Sequence, residues 1–142
     1  MPQPIKIDLD KSRIRYLNFK IRDIEPEDEV SVSYEIFYDY DYSYKEKRFN
    51  ALLSVSIAED RLPFVLDIEY EGLLKLNKSV AREKIKPFAE IDCPALLFSF
   101  LRQSIADITL RAGFNPFLLP AMDFVELAKK ERLKKTHSAN FR

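Results

Sequence analysis

Few side chains in this 142-residue sequence are equipped for chemistry, and their spacing narrows the choice further. The single cysteine, Cys93, is followed by Pro94 and an apolar run, which places it at a helix N-terminus where the dipole favours thiolate. A nucleophilic thiol needs a base, and the single histidine, His137, sits close to the C-terminus. Cys93 is therefore read as a small buried hydrophobe. Asp39 and Asp41, and likewise Asp67 and Glu69, are acids two residues apart that could mimic a hydrolase dyad. That spacing is common on the wet face of a sheet, and no neighbour would raise either pKa for acid catalysis. One cysteine and one histidine exclude a centre built on several such ligands. Two glycines, Gly72 and Gly113, exclude a glycine-rich phosphate loop and a dinucleotide fingerprint. The expectation is no catalytic residue, no metal and no cofactor, hence no enzyme.

Two other features could bind rather than react. Tyr38, Tyr40, Tyr42 and Tyr44 alternate along one face of an extended run. Such a face can be a half-buried core, a protein-binding surface or a base-stacking platform. Nucleic acid is disfavoured, because Asp39 and Asp41 interleave the rings and the approach from Asp23 to Glu29 is acidic. The second feature is the proline-punctuated stretch Phe114-Asn115-Pro116-Phe117-Leu118-Leu119-Pro120, with Phe124 just beyond it. Either it packs on the sheet, or it forms a hydrophobic groove or subunit interface. Both readings stay open on composition alone.

The elements that must position these residues are legible from periodicity. From Val30 to Tyr44 apolar and aromatic residues fill the even positions, while the odd positions are mostly Ser, Glu and Asp. A period of two over such a length predicts a strand. Phe49 to Ile57 and Leu62 to Tyr70 repeat the alternation. Ile5 to Leu9 and Leu17 to Ile21 suggest a first long strand, with a bulge or bend at Lys11–Arg15. Glu46-Lys47 and Glu59-Asp60-Arg61 are short enough for hairpin turns, which favours antiparallel pairing. After Cys93 the period lengthens: Leu97, Leu101, Ile105, Ile108 and Ala112 follow at helical spacing. Asp92 is placed as the cap, Pro94 in the first turn and Gly113 at the end. A second helix should start near Ala121–Asp123 and carry Phe124, Leu127 and Ala128. The fold class is α+β: a four-stranded antiparallel sheet followed by two helices packed on one face.

Charge cancels overall, with 23 basic and 23 acidic residues, so no net field draws the chain to nucleic acid or an anionic membrane. Locally it does not cancel. Residues 23–46 carry nine acids against Lys45, and residues 129–142 carry six bases against Glu131. The latter is read as a mobile basic C-terminal tail on a single domain spanning 1–142. No stretch reads as a signal peptide or a membrane span, so a soluble cytoplasmic protein is expected, without membrane insertion.

From Cys93 onward, CPALLFSFLRQSIADITLRAGFNPFLLPAMDFVELAKK resembles the C-terminal half of SecB-type protein-export chaperones. The resemblance rests on the Cys93-Pro94 pair, Leu97, Phe98, Arg102, Ile105, Arg111, Phe114, Leu119, Asp123 and Phe124, in register without a gap. PFVLDIEYEGLLKL (63–76) is similar to the family's fourth strand and its exit, and EVSVSY (29–34) to the start of its second. Pro120-Ala121 stands where the family usually has Ala-Pro. The resemblance implies a homotetramer, a dimer of dimers built on sheet edges and long helices. It also implies an ATP-independent holdase that wraps unfolded chains in hydrophobic grooves beneath a crossover loop. On that reading Val30, Val32, Tyr34 and Ile36 line the groove from the strand side. Phe114, Phe117, Leu118, Leu119 and Phe124 close it from the loop side. Acidic surroundings would favour apolar, basic clients.

A further implied role is handing clients to the translocase motor SecA, with Val65, Asp67 and Glu69 as the contact. Tyr16 and Lys20 occupy what the family keeps as acidic first-strand positions, and the tail is basic, both of which run against that role. Members of the family also serve toxin–antitoxin systems, so the client is either an unfolded preprotein or an antitoxin. Two alternatives of other classes stand beside the chaperone: a non-catalytic interaction and oligomerisation domain, and a binder of small apolar ligands.

Overall fold

The structure is a computed structural model that describes residues 5–25, 27–129 and 135–141, with backbone alone for 128–129 and 135–140. Strands β1 (Ile7–Ile21), β2 (Val30–Ser43), β3 (Arg48–Ile57) and β4 (Phe64–Leu76) come first. Helix α1 (Arg82–Pro87), one π turn (Phe88–Asp92), α2 (Cys93–Arg111) and α3 (Phe124–Lys129) follow. A last strand, β5 (Lys135–Phe141), returns to the sheet. Sheet order is β1-β4-β3-β2-β5, and every neighbouring pair is antiparallel.

The alternation in the sequence becomes two faces of one sheet. Val30, Val32, Tyr34, Ile36 and Tyr38 of β2 are buried, as are Phe49, Leu53, Val55 and Ile57 of β3 and Phe64, Leu66, Ile68 and Tyr70 of β4. Against them α2 lays Cys93, Leu97, Phe98, Leu101 and Ile105. The other face carries Ser31, Ser33, Glu35 and Asp39, all exposed. As expected at Lys11–Arg15, β1 is irregular, with register shifts between Leu9 and Lys11 and between Ile14 and Tyr16. Lys47 takes the left-handed backbone (φ 52°) that the β2–β3 turn demands. Arg22 fastens the β3–β4 turn by donating from its guanidinium to the carbonyls of Leu62 and Glu59.

Two expectations need correction. Asp92 is not a cap: its φ and ψ (−73°, −42°) are helical and its side chain makes no capping hydrogen bond. Helical backbone already runs from Arg82, and the Cys93 N–H bonds back to the Phe88 carbonyl. Pro94 has no N–H to offer and its ring crowds the carbonyl four residues back, so the turn before it widens to π spacing. Second, Lys135–Phe141 of the expected mobile tail pairs with β2, from Val30 opposite Phe141 to Ile36 opposite Lys135, and so adds a fifth strand to the expected four-stranded antiparallel sheet. Residues 130–134 and 142 of that tail lie outside the described residues. The second helix begins where expected, with Asp123 Oδ1 accepting from Val125 and Glu126 N–H at 3.0 and 3.2 Å.

Candidate functional site: the seam under the crossover loop

The seam begins at the end of α2. Gly113, at φ +95°, takes the conformation that lets the chain turn off the helix, and Phe114 N–H bonds to the Thr109 carbonyl at 3.1 Å. The loop then runs without regular structure to Phe124, yet it is firmly seated. Thr109 is fully buried: its hydroxyl donates to the Ile105 carbonyl at 2.9 Å and accepts the Phe117 N–H at 2.8 Å. That hydrogen bond points the Phe117 side chain at the sheet, and Leu119 follows it inward two residues later.

What they meet is aromatic. The Phe64 ring packs against Phe114, Phe117 and Phe141 with centroids 5.4, 6.3 and 5.4 Å away. Phe141 also stacks on Phe117 at 5.6 Å, nearly parallel. Phe19 covers Phe64 from β1 at 5.5 Å. On the far side Phe124 of α3 meets Phe98 of α2 edge-on at 5.6 Å.

Of the groove residues expected from the resemblance, Val30, Val32, Tyr34, Ile36, Phe117, Leu119 and Phe124 are all buried in the hydrophobic core, and Phe114 is partly buried. Leu118 alone among the nine is exposed, at 61%. Phe114 and Phe117 of the loop pack directly on Phe64 and Phe141 of the sheet, a closed packing rather than an open channel. Sequence reasoning missed three participants. Phe64 reads only as strand core and Phe141 as part of a tail with no apolar periodicity, while Thr109 falls on the helical stripe four residues after Ile105 but is polar and so goes unmarked.

The tyrosine face divides along its length. Tyr34 and Tyr38 are core, and the Tyr38 hydroxyl donates to the Ala89 carbonyl of the π turn. Burial pushes both phenols above their ordinary pKa, so they stay protonated donors. Tyr42 and Tyr44 make an edge-on pair at 4.9 Å near the β2–β3 turn, where the Arg82 guanidinium lies over the Tyr44 ring. Cys93 is fully buried, and that burial, with Asp92 beside it, pushes the thiol up to about 12. Such a thiol is inert at neutral pH.

Val65, Asp67 and Glu69 lie together on the outward face of β4, partly exposed. Their charge is partly met at home. Asp67 accepts from the Ser56 hydroxyl, Glu69 is 4.0 Å from Arg15, and the next acid along, Glu71, pairs with Arg13. Lys11, Arg13 and Arg15 face Asp39, Asp41 and Glu71 across an open hollow of about 860 Å³ on the same side of the sheet. Among the described residues no three His, Cys, Asp or Glu side chains group as metal ligands, and no helix is long and apolar enough to cross a membrane.

Known proteins resemble the chain in sequence and in fold. Residues 19–135 match the family model for SecB, the preprotein translocase subunit. The chain is 35% identical over 85 residues to the protein-export protein SecB of Afipia carboxidovorans, covering 58% of this chain and 52% of that one. It is 40% identical over 72 residues to the SecB of Paramagnetospirillum magneticum, covering 51% and 45%. It thus spans about half the length of the curated relatives it matches. Among solved structures, a SecB-like chaperone of Mycobacterium tuberculosis, in complex with a ChAD peptide from an antitoxin, superposes with a TM-score of 0.62 at 16% identity. The match covers 82% of this chain and 90% of that one. A Streptococcus agalactiae protein of unknown function superposes at 0.53 with 8% identity, covering 83% and 99%. At such identities the likeness is one of fold.

Proposed function

This chain belongs to the SecB family, and on that premise we propose that it is an ATP-independent holdase that keeps polypeptides unfolded in an apolar seam between β2 and the crossover loop. The observation that carries the proposal is the loop itself. Residues 114–120 have no regular structure, yet they bury Phe117 and Leu119 on the sheet. A segment held down mainly by apolar packing and by its ties to Thr109 can lift and exchange its contacts for those of a client. Apolar burial at roughly 25 cal/mol per Å² would grip a client with little sequence discrimination. Val65, Asp67 and Glu69 remain the proposed surface for SecA, weakened by the bases of β1 beside them. Service to an antitoxin is the second reading, favoured by the solved SecB-like chaperone that holds an antitoxin peptide.

The test is suppression of aggregation. A chemically unfolded, slow-folding protein is diluted into buffer without nucleotide, and light scattering is followed as this chain is titrated in. Scattering should fall and saturate near one client per assembly. Leu118→Asp, at the exposed position of the loop, should raise the concentration needed while leaving the fold intact. No suppression by a folded, assembled protein would sink the holdase reading and leave a shared fold only.

A further inference from the structure

The seam already contains an extended segment, and it belongs to the chain itself. β5 pairs with Val30–Ile36, the stretch of β2 that carries all four strand-side residues expected to line a client groove. Its last residue, Phe141, is only 6% exposed and packs against Phe114 and Phe117 of the loop as well as Phe64 of β4. β5 thus satisfies both demands that the seam makes of an occupant. It gives the β2 edge a backbone to bond, and it gives the aromatic pocket a ring.

Nothing in the sequence of β5 argues for a permanent strand. KTHSANF has one large apolar residue and no alternation, so its pairing relies on backbone hydrogen bonds and that single ring. Charge adds a bias: residues 129–142 carry six bases against one acid, while residues 23–46, which include β2, carry nine acids against one base. An extended, basic, aromatic-bearing segment is thus what the site accepts.

We propose that the β2 edge together with the Phe64–Phe114–Phe117 pocket is a strand-addition site, that β5 is its intramolecular occupant, and that a client enters by replacing β5 strand for strand. The partner class is an extended polypeptide with an aromatic residue in the place of Phe141. The proposal rests on the holdase reading for the client, but not for the site. While β5 is seated, the competent fraction is small and apparent client affinity is reduced by that fraction.

The experiment uses the full chain in three forms: wild type, Phe141→Ala, and a double variant, Ser33→Cys with Ser138→Cys. The last two positions face each other across β2 and β5, so oxidation ties the strands together. Two probes are read: an unfolded client, and a fluorescent peptide of sequence KTHSANFR measured by polarisation. Phe141→Ala should bind both about tenfold more tightly than wild type, because removing the ring empties the pocket and loosens its competitor. The oxidised double variant should bind neither, and reduction should restore both. Equal binding by the oxidised and reduced forms would overturn the proposal, as would failure of the peptide to bind Phe141→Ala. If the peptide binds and responds to the tie while no form takes up clients, the strand-addition site stands and the holdase reading, with client exchange, falls.

Discussion

The Thr109 hydroxyl accepts the Phe117 N–H at 2.8 Å while donating to the Ile105 carbonyl, so a single buried side chain ties the crossover loop to the last turns of α2. Replacing it by valine keeps the shape and removes the acceptor. The Phe117 N–H would then be buried without a partner, at a cost of about 1–3 kcal/mol. Urea unfolding of Thr109→Val should show that loss as a lower midpoint with an unchanged slope, and Thr109→Ser should recover most of it. A midpoint equal to wild type would mean that the loop is held by its aromatic contacts alone.

Gly72 of β4 marks where α2 crosses the sheet. A Cβ there would stand 2.5 Å from Leu97 Cδ2 and 3.2 Å from Leu9 Cδ1, and Leu97 is fully buried. The leucine tip can yield to one methyl group, but not to a branched side chain in a filled core. Gly72→Val should cost more than Gly72→Ala, with the valine in the range of about 1–3 kcal/mol typical of overpacking. Thermal unfolding of the two variants gives the ranking, and equal melting temperatures would show that the helix can ride higher on the sheet.

Cys93 makes stability depend on alkaline pH. Burial, with Asp92 adjacent, raises the folded thiol from 9.0 to about 12. A folded pKa above the unfolded one means that the folded state holds the proton longer. The contribution is fully present below pH 9 and is lost as pH rises from there towards 12. Tyr38, also raised by burial, acts in the same direction at still higher pH. The urea midpoint should be flat from about pH 7 to 8.5 and fall by about pH 10.5, and Cys93→Ala should fall less steeply over that window. A thiol reagent at neutral pH should label the protein only after denaturant is added.

How far the sequence foretold all this differs by element. β2, β3 and β4 were legible because one face is dry and the other wet, so Val30 to Tyr38 and Phe64 to Tyr70 spell the burial pattern letter by letter. The helical turns before Cys93 were not: Pro87 falls among them, and the π turn shifts the phase, so no 3.6-residue stripe emerges from Arg82 to Asp92. β5 was invisible for a different reason, since its place is decided by the vacant edge of β2 and not by its own residues. The membership of the seam was largely readable, because Phe114, Phe117 and Leu119 stand out in a loop. Whether loop and strand stand apart or closed depends on Thr109 and Phe141, whose contacts are tertiary.

β5 also bears on assembly. With it in place the β2 edge is covered, and β1 is the sheet's remaining open edge among the described residues. β1 is fifteen residues long, and Ile14, Tyr16, Leu17 and Ile21 are 40–53% exposed along it. A long edge with that much apolar surface is a template for a second copy. Phe100, stacked on Tyr70 of β4, and Leu110 also stand out from α2, 41% and 58% exposed. A dimer of dimers requires two kinds of contact, and the strand edge and the helix each offer apolar surface for one. Light scattering after size exclusion should give about four times the 16.7 kDa of one chain. Leu17→Arg with Ile21→Arg should break the strand contact, and Leu110→Glu the helix contact, each leaving about half the wild-type mass. Monomeric wild type would refute both interfaces. A single variant that took the tetramer straight to monomer would show that the two contacts form only together.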